Sequence, residues 1–432
     1  MSQDDCLDPA LGEKGLNDML QRLNAAILAA FRSADLPENG RIGVAVSGGS
    51  DSLALLHLLA AQFPVAAVTV DHGLRPESAG EGQGVARICE GLGVPHQILA
   101  WSGPAPQGNL MDQARRARLL LIGEWARAQA IGHVALGHTQ DDQAETFMMR
   151  LARESGLEGL AGMRAHFAEE GVTWHRPLLS ETRESLRQYL RRLGQEWVED
   201  PSNSDVKYER VRVRQALKTM GDIGVTSAAL AAVVSHLARA DAALNETLNA
   251  LVAAHVTTPM GDVVIDARAF AQAFGPEMQR RLINAALRWV SGASYAPRAA
   301  KLEGFLADWP QRTDCTLHGC RIHVTQDSIR ITRELNAVAD LRVPPTARWD
   351  RWHLTPQDGG ELVAGAQIGA LGAAGLADCA DWRTTGHPRA SLLASPALWR
   401  GDELLCAPLA GYENGWKAQL GCGAFAQSLF RR

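Results

Sequence analysis

The stretch Val44-Ala45-Val46-Ser47-Gly48-Gly49-Ser50-Asp51-Ser52 constrains this chain more than any other. The apolar run Ile42 to Val46 reads as a short buried strand, and the run Leu53 to Leu59 reads as an apolar helix. A strand feeding a helix through Ser-Gly-Gly-Ser leaves backbone N–H groups unpaired at the helix N-terminus, where the helix dipole favours an anion. Gly48 and Gly49 let the backbone close on a phosphate without a Cβ penalty, and Ser47, Ser50 and Ser52 add hydroxyl donors. The bland alternative is a glycine turn with Asp51 as a helix cap. An unbroken run of small or acidic residues from Ser47 to Ser52 favours the phosphate site. No Gly-Lys-Ser/Thr follows it, which excludes the P-loop of kinases and GTPases.

Alternation extends the pattern. After a first helix near Leu16 to Phe31, strands are expected at Ile42–Val46, Val65–Val70, His96–Leu99 and His133–Leu136. Helices are expected from Asp51 to Ala61, Ser78 to Leu92 and Leu110 to Ala130, with another starting near Asp141. Such βαβ units predict an α/β fold, a parallel sheet with helices on both faces, and ligands outside the strand C-termini. Three polar clusters fall at those ends: Ser47–Ser52, Asp71–Arg75 and His138–Glu145. The alternation stops near Gly224. Long helices then fit Ser227–Val256 and Pro276–Gly292, with short β segments at Arg321–Val324 and Ser328–Ile331 and a Pro- and Trp-punctuated linker at Leu341–Asp358. Turns at Gly359-Gly360, Gly372 and Gly401-Asp402 punctuate a β-like tail.

A length of 432 residues calls for two or three domains. The expected organisation is an N-terminal extension and helix over 1–38, a catalytic domain over 39–220, a mainly helical domain over 221–340 and a small α+β domain over 345–432. No apolar stretch approaches a membrane span, and Met1 to Glu13 is polar, so no membrane and a cytoplasmic location are expected. Seven dispersed cysteines without a Cys-x-x-Cys pair read as reduced thiols, and Cys315/Cys320 lack zinc spacing. The net charge of −5 is unpromising for nucleic-acid binding, yet binding needs only a local basic stripe. Arg176 to Lys218 is the densest such region, and interleaved Glu181, Glu184 and Glu196 leave a solvated helix equally open.

In His138-Thr-Gln-Asp141-Asp142-Gln-Ala-Glu145, Asp141 and Glu145 stand at i,i+4 and Asp142 and Glu145 at i,i+3. Carboxylates in a first helical turn are stabilised by the dipole, but beside a polyphosphate they repel it unless Mg²⁺ or a cationic amine joins them.

The Ser47–Ser52 string resembles the pyrophosphatase loop of the N-type ATP pyrophosphatases, the PP-loop superfamily. The His138–Thr146 string resembles a signature of the tRNA(Ile)-lysidine synthetases. Asp71–Arg75, Ala114–Arg118, Gly156–Met163, Arg176–Leu179 and Trp197–Asn203 are similar to that family in the same order. The likeness is continuous over 41–214 and weaker in Gly369–Gly372 and Pro396–Leu404. One departure is Arg210-Val211-Arg212-Val213-Arg214, with Val211 where the family has Asn.

The resemblance implies a ligase that splits ATP to AMP and pyrophosphate, adenylates the carbonyl oxygen at carbon 2 of the wobble cytidine in an isoleucine tRNA with a CAU anticodon, and lets free L-lysine displace AMP there, giving lysidine. It implies ATP contacts at Ser47, Gly48, Gly49, Ser50, Asp51, Ser52, Val70 and Asp71. Asp51, Asp141 and Asp142 would be the catalytic carboxylates, with Mg²⁺ on one of them, Asp51 and Asp142 foremost. Lysine would meet Asp141 and Glu145, with Arg115 or Arg118 on its carboxylate or a phosphate, and Arg210, Arg212 and Arg214 would contact tRNA. Whether the chain forms a homodimer stays open. A thiolase of the same superfamily is the rival, but Cys89 is the one cysteine in the sheet region and sits on an expected helix, away from the strand ends.

Overall fold

The computed structural model describes residues 13–32, 40–71, 73, 78–101, 110–169, 171–199, 205–293, 295–311, 313–357 and 363–429, without side chains at 13, 78–79 and 110–115. Cys6, His72, Leu74, Arg75, residues 200–203 and Gly359-Gly360 lie outside them, as does the side chain of Arg115. The chain divides into two compact units, Met1–Asp241 and Ala242–Arg432.

In the first unit the elements run α1 (Glu13–Phe31), β1 (Ile42–Ala45), α2 (Ser50–Ala60), β2 (Val65–Asp71), α3 (Ser78–Gly91), β3 (His96–Ala100), α4 (Leu110–Ala128), β4 (His133–Leu136) and α5 (Gln140–Leu151). They continue with α6 (Leu157–Leu160), β5 (His166–Glu169), β6 (Val172–His175), α7 (Arg183–Arg192), α8 (Glu209–Met220) and α9 (Ser227–His255), which runs on past the unit boundary. The strands form one sheet in the order β3-β2-β1-β4-β6-β5, parallel except for β5. Strand residues alternate between its two faces. Ile42, Val44, Val65, Ala67 and Ala135 pack with α1, α2, α3 and α7 on one side. Ala45, Ala66, Val68, Val134 and Leu136 pack with Ile122, Trp125 and Ala126 of α4 on the other. Helix α2 is apolar nearly all round because it is enclosed, with Leu53, Leu55, Leu56, Leu58 and Leu59 at most 1% exposed. Each such leucine contributes about 1.5–3 kcal/mol by leaving water.

Strand order decides where a ligand can sit. The chain leaves β1 toward β2 and β3, then returns to pair β4 with the opposite edge of β1. Between β1 and β4 the order reverses, and the strand C-termini diverge into a crevice. Both polar segments of interest, Ser47–Ser52 after β1 and His138–Glu145 after β4, open onto this crevice.

The second unit begins with β7 (Val256–Thr257), β8 (Val263–Asp266), α10 (Ala267–Gln272), α11 (Pro276–Ser291), α12 (Ala299–Asp308), β9 (Asp314–Leu317), β10 (Cys320–Val324) and β11 (Ser328–Arg333). Its five strands form an antiparallel sheet ordered β7-β8-β11-β10-β9, whose core includes Phe270, Leu282, Ile283 and Leu287. Beyond it lie a ribbon of β12 (Trp352–Pro356), which pairs with a later strand, Trp416–Leu420, and a three-stranded sheet, Gln367–Ala370 with Pro396–Arg400 and Glu403–Cys406. The sequence patterns had marked β10, β11 and the β-like tail. Strands β5, β6 and β8 were not among the expected elements.

Candidate active site

The turn after β1 is tied from within. Ser52 Oγ donates to the Gly49 carbonyl at 3.0 Å and accepts from the Ser47 backbone N–H at 3.1 Å. Gly48 has φ +86°, the left-handed region that glycine occupies without strain. The N-cap of α2 is Gly49, with no side-chain cap bond, so the capping role considered for Asp51 is not the one it plays. The first-turn amides of this helix therefore remain directed at the crevice. Gly137, at the end of β4, lies against this helix start. A Cβ there would stand 3.0 Å from the Asp51 carbonyl carbon and oxygen and from Ser52 Cα, so only glycine lets the two strand ends approach so closely.

A cavity of about 360 Å³ opens here, and its wall includes Ser47, Gly49, Ser50, Asp51, Ser52 and Asp142. The expected residue Arg118 lines it too, as do Arg183, Arg187 and Arg214. Val70 is packed in the core over one sheet face, and Asp71 Oδ1 accepts from the Gly73 amide at 2.9 Å. Neither belongs to the cavity wall. The Trp197–Glu199 segment closes one side: the Val198 N–H donates to the Gly48 carbonyl at 3.0 Å, and Glu199 pairs with Arg187 at 2.6 Å.

The carboxylates gather around one guanidinium. Arg183, the first residue of α7, donates from Nε to Asp51 Oδ2 at 3.0 Å and from Nη2 to Asp142 Oδ1 at 3.1 Å, and its Nη1 stands 3.5 Å from Glu145 Oε1. Its backbone N–H donates to Asp141 Oδ2 at 2.8 Å, while Ser227 Oγ donates to Asp141 Oδ1 at 3.3 Å. Asp142 also closes a capping box. Its Oδ2 accepts from the Thr139 backbone N–H at 2.8 Å and from Thr139 Oγ1 at 2.9 Å.

Asp51 is raised above the ordinary carboxylate range, because burial outweighs the pull of Arg183. Burial also opposes the charge of Arg183, but Asp51, Asp142 and Glu145 together prevail and push that guanidinium higher still. The cluster is thus mutually dependent: each charge is tolerable because the opposite charges stand beside it.

Three expectations change in detail. Glu145 is not on the cavity wall; its side chain is 2% exposed, and both oxygens are taken by Arg210 Nε at 2.5 Å and Arg214 Nε at 2.8 Å. Arg210 also reaches Asp142 at 3.0 Å. Arg210 and Arg214 therefore turn inward from α8 to the carboxylates of α5, where the sequence alone suggested an outward basic stripe. Arg212 takes the other face and donates to the Val206 and Lys207 carbonyls, each at 2.9 Å. Val211 is buried on α8. Arg183 was missed as a site residue, since no local periodicity marks it; its place behind the Thr182 N-cap of α7 was the available signal.

An anion-binding strand–helix turn and an acidic–basic cluster at the switch point of a parallel sheet define an ATP-using enzyme of the PP-loop class. The family model of the PP-loop domain matches residues 19–220. The chain is 45% identical over 417 residues to tRNA(Ile)-lysidine synthase of Ruegeria pomeroyi, covering 95% of this chain and 96% of that one. It is 35% identical to the enzyme of that name from a Wolbachia of Brugia malayi, covering 71% and 73%. The chain belongs to the tRNA(Ile)-lysidine synthase family. Among solved structures it is similar to the U34-tRNA thiolase NcsA of Methanococcus maripaludis, with TM-score 0.45 and 17% identity over 52% of this chain and 80% of that one.

Proposed function

We propose that this enzyme joins free L-lysine, through its ε-amine, to carbon 2 of the wobble cytidine in the CAU anticodon of isoleucine tRNA, releasing AMP and pyrophosphate. The observation that carries the residue assignments is the convergence of the α2 N-terminus with Asp51, Asp142 and Arg183 on one cavity. The amides and hydroxyls of Ser47–Ser52 would hold the ATP phosphates, as helix N-termini do. Arg118 and Arg187 add positive charge on the cavity wall. Val70 and Asp71 stand at the end of the neighbouring strand β2, the side on which adenine or ribose would lie.

Asp51 and Asp142 offer hard oxygen ligands suited to Mg²⁺, which proteins hold through one or two carboxylates plus substrate phosphates. Bound there, Mg²⁺ would neutralise charge developing on the pyrophosphate. The target base must leave its stack, at lower cost in an anticodon loop than in a duplex. Its carbonyl oxygen attacks the α-phosphate, and the ε-amine then displaces AMP from carbon 2. That amine arrives as an ammonium and must lose a proton, for which Asp141 is the proposed acceptor. Asp141 and Glu145 remain the proposed lysine ligands, with Arg115 or Arg118 on the lysine carboxylate. In the structure Glu145 is covered by α8, so lysine entry requires Arg210 and Arg214 to exchange partners, and tRNA phosphates are suitable ones. Arg212 would join them at the tRNA, and the second unit would grip the tRNA body.

Among the described residues no single helix is long and apolar enough to cross a membrane; a cytoplasmic site of action is the natural setting for a tRNA substrate. The thiolase reading is disfavoured by Cys89, which is fully buried on α3 with its thiol pushed up to about 11 by that burial, far from a reactive thiolate.

The test is incubation with ATP, Mg²⁺, labelled lysine and a CAU-anticodon isoleucine tRNA transcript, with methionine tRNA as control. Label on the isoleucine tRNA with AMP release is expected. AMP release that depends on tRNA but transfers no lysine would mean a different nucleophile.

A further inference from the structure

Asp51 and Asp142 each have one oxygen held by a residue close by in the chain. Asp51 Oδ1 accepts from Ser50 Oγ at 3.0 Å, and Asp142 Oδ2 is held twice by Thr139. The oxygens left to face the cavity are Asp51 Oδ2 and Asp142 Oδ1, and Arg183 bridges them at 3.0 and 3.1 Å. They belong to different segments, α2 after β1 and α5 after β4, 91 positions apart in the chain. A single planar guanidinium therefore links the two carboxylates across these segments. The anchor of that side chain is firm: the Arg183 backbone N–H is bonded to Asp141, and Thr182 caps α7 through the Ser185 N–H at 3.1 Å. The side chain is nevertheless 20% exposed and part of the cavity wall.

We infer that Arg183 is a positioning residue that acts as a built-in counter-cation, holding Asp51 and Asp142 in register while ATP is absent and giving up that pairing when Mg²⁺-ATP enters. This rests on the reading that Asp51 and Asp142 hold Mg²⁺. A fixed cation between the two oxygens competes with a free metal ion for them. It discourages metal binding without nucleotide and places a positive charge beside the arriving phosphates. Arg183 thus makes metal and nucleotide bind together rather than separately, a coupling of two ligands through one side chain. Arg210 still reaches Asp142 at 3.0 Å, so Asp142 keeps a partner when Arg183 departs.

The experiment measures Mn²⁺ binding by electron paramagnetic resonance, with and without ATP, on the full-length protein and its Arg183→Gln and Arg183→Lys variants. Circular dichroism confirms that each is folded. With Arg183→Gln, Mn²⁺ alone should bind about tenfold more tightly while ATP binds about tenfold more weakly. A purely structural arginine would not move the two affinities in opposite directions. Arg183→Lys keeps the charge but lacks the fixed planar fork that spans the two carboxylates, so both shifts should be intermediate; it carries the test if the glutamine variant does not fold. Mn²⁺ affinity without ATP that is unchanged or weaker in a folded variant overturns the inference. Asp51→Asn and Asp142→Asn separate the underlying reading: if both retain ATP-dependent Mn²⁺ binding at the level of the unaltered protein, the metal assignment itself fails.

Discussion

Each unit of this molecule contains a buried acid–arginine cluster, and the two clusters serve different ends. In the second unit Asp262, just before β8, accepts from Arg330 of β11 at 2.8 Å and from Ser391 at 2.6 Å. Burial pushes its carboxyl up against the pull of Ser391, Arg330 and Thr332, much as burial pushes up Asp51. The direction of the shift therefore fails to tell a fastening from a site. The partners do. The Arg330–Asp262 pair ties one segment of the second unit to another. Arg183 is divided among Asp51, Asp142 and Glu145, and it lines a cavity at the C-termini of two neighbouring strands. A shared cation at a switch point is poised for exchange.

The contrast can be broken most directly at Asp51. Asp51→Asn should lower lysine transfer to tRNA by about 1000-fold, equivalent to about 4 kcal/mol of transition-state stabilisation. It should leave urea unfolding within about 1 kcal/mol, since burial already disfavours that charge. Near-normal rates would reduce the cluster to the kind seen at Asp262. Asp262→Ala should do the reverse, costing about 3 kcal/mol or more by stranding Arg330 and Ser391. ATP titration should be unaffected, and any equal loss of ATP binding would erase the distinction between the clusters.

Acid should also separate the units. His175 of β6 is held near a pKa of about 4 by burial and by the neighbouring His133 and His166, against an ordinary 6.5. Between those values the unfolded chain binds a proton that the folded chain refuses, so stability falls as pH drops through this window. The full effect is about 3 kcal/mol, reached near pH 4. Chemical denaturation from pH 7 to 4 should show that slope in the first unit, and His175→Gln should flatten it. The smallest effect belongs to the helix cap. Thr139→Ala should cost about 1 kcal/mol through α5, read as a shift in the unfolding midpoint.

Local chemistry in the chain pointed to much of the first unit. Apolar runs bounded by small residues located β1, β2 and β4 to within a residue or two, because a doubly covered parallel strand is apolar along most of its length; β3, also located, is a largely exposed edge strand. Ser47–Ser52 and His138–Glu145 stood out for the same reason: polar residues abruptly follow a buried strand. Contacts between distant segments were not legible. Arg183 meets Asp51 across 132 positions, and nothing in the periodicity around Arg183 announces it. Arg210 and Arg214 sit one turn apart on α8 and look like a basic face; what turns them inward is the fully buried Glu145 of a helix 65 and 69 positions earlier. The paired rings of His133 and His175, 3.0 Å apart between nitrogens, were hidden because β5 and β6 were.

The pairing of β1 with β4 has a consequence during synthesis. As the polypeptide leaves the ribosome, β1, β2 and β3 are complete well before Gly43 can find Val134. Until then one side of β1 presents unpaired backbone groups on an apolar strand, the kind of edge to which other chains add. The nascent protein must pass α4 and reach β4 before that edge closes, and α7 must follow before Asp51 has its counter-ion. The stretch of translation from residue 101 to 183 is thus the interval in which that edge stands open, the kind of exposure that makes incomplete chains prone to misassembly.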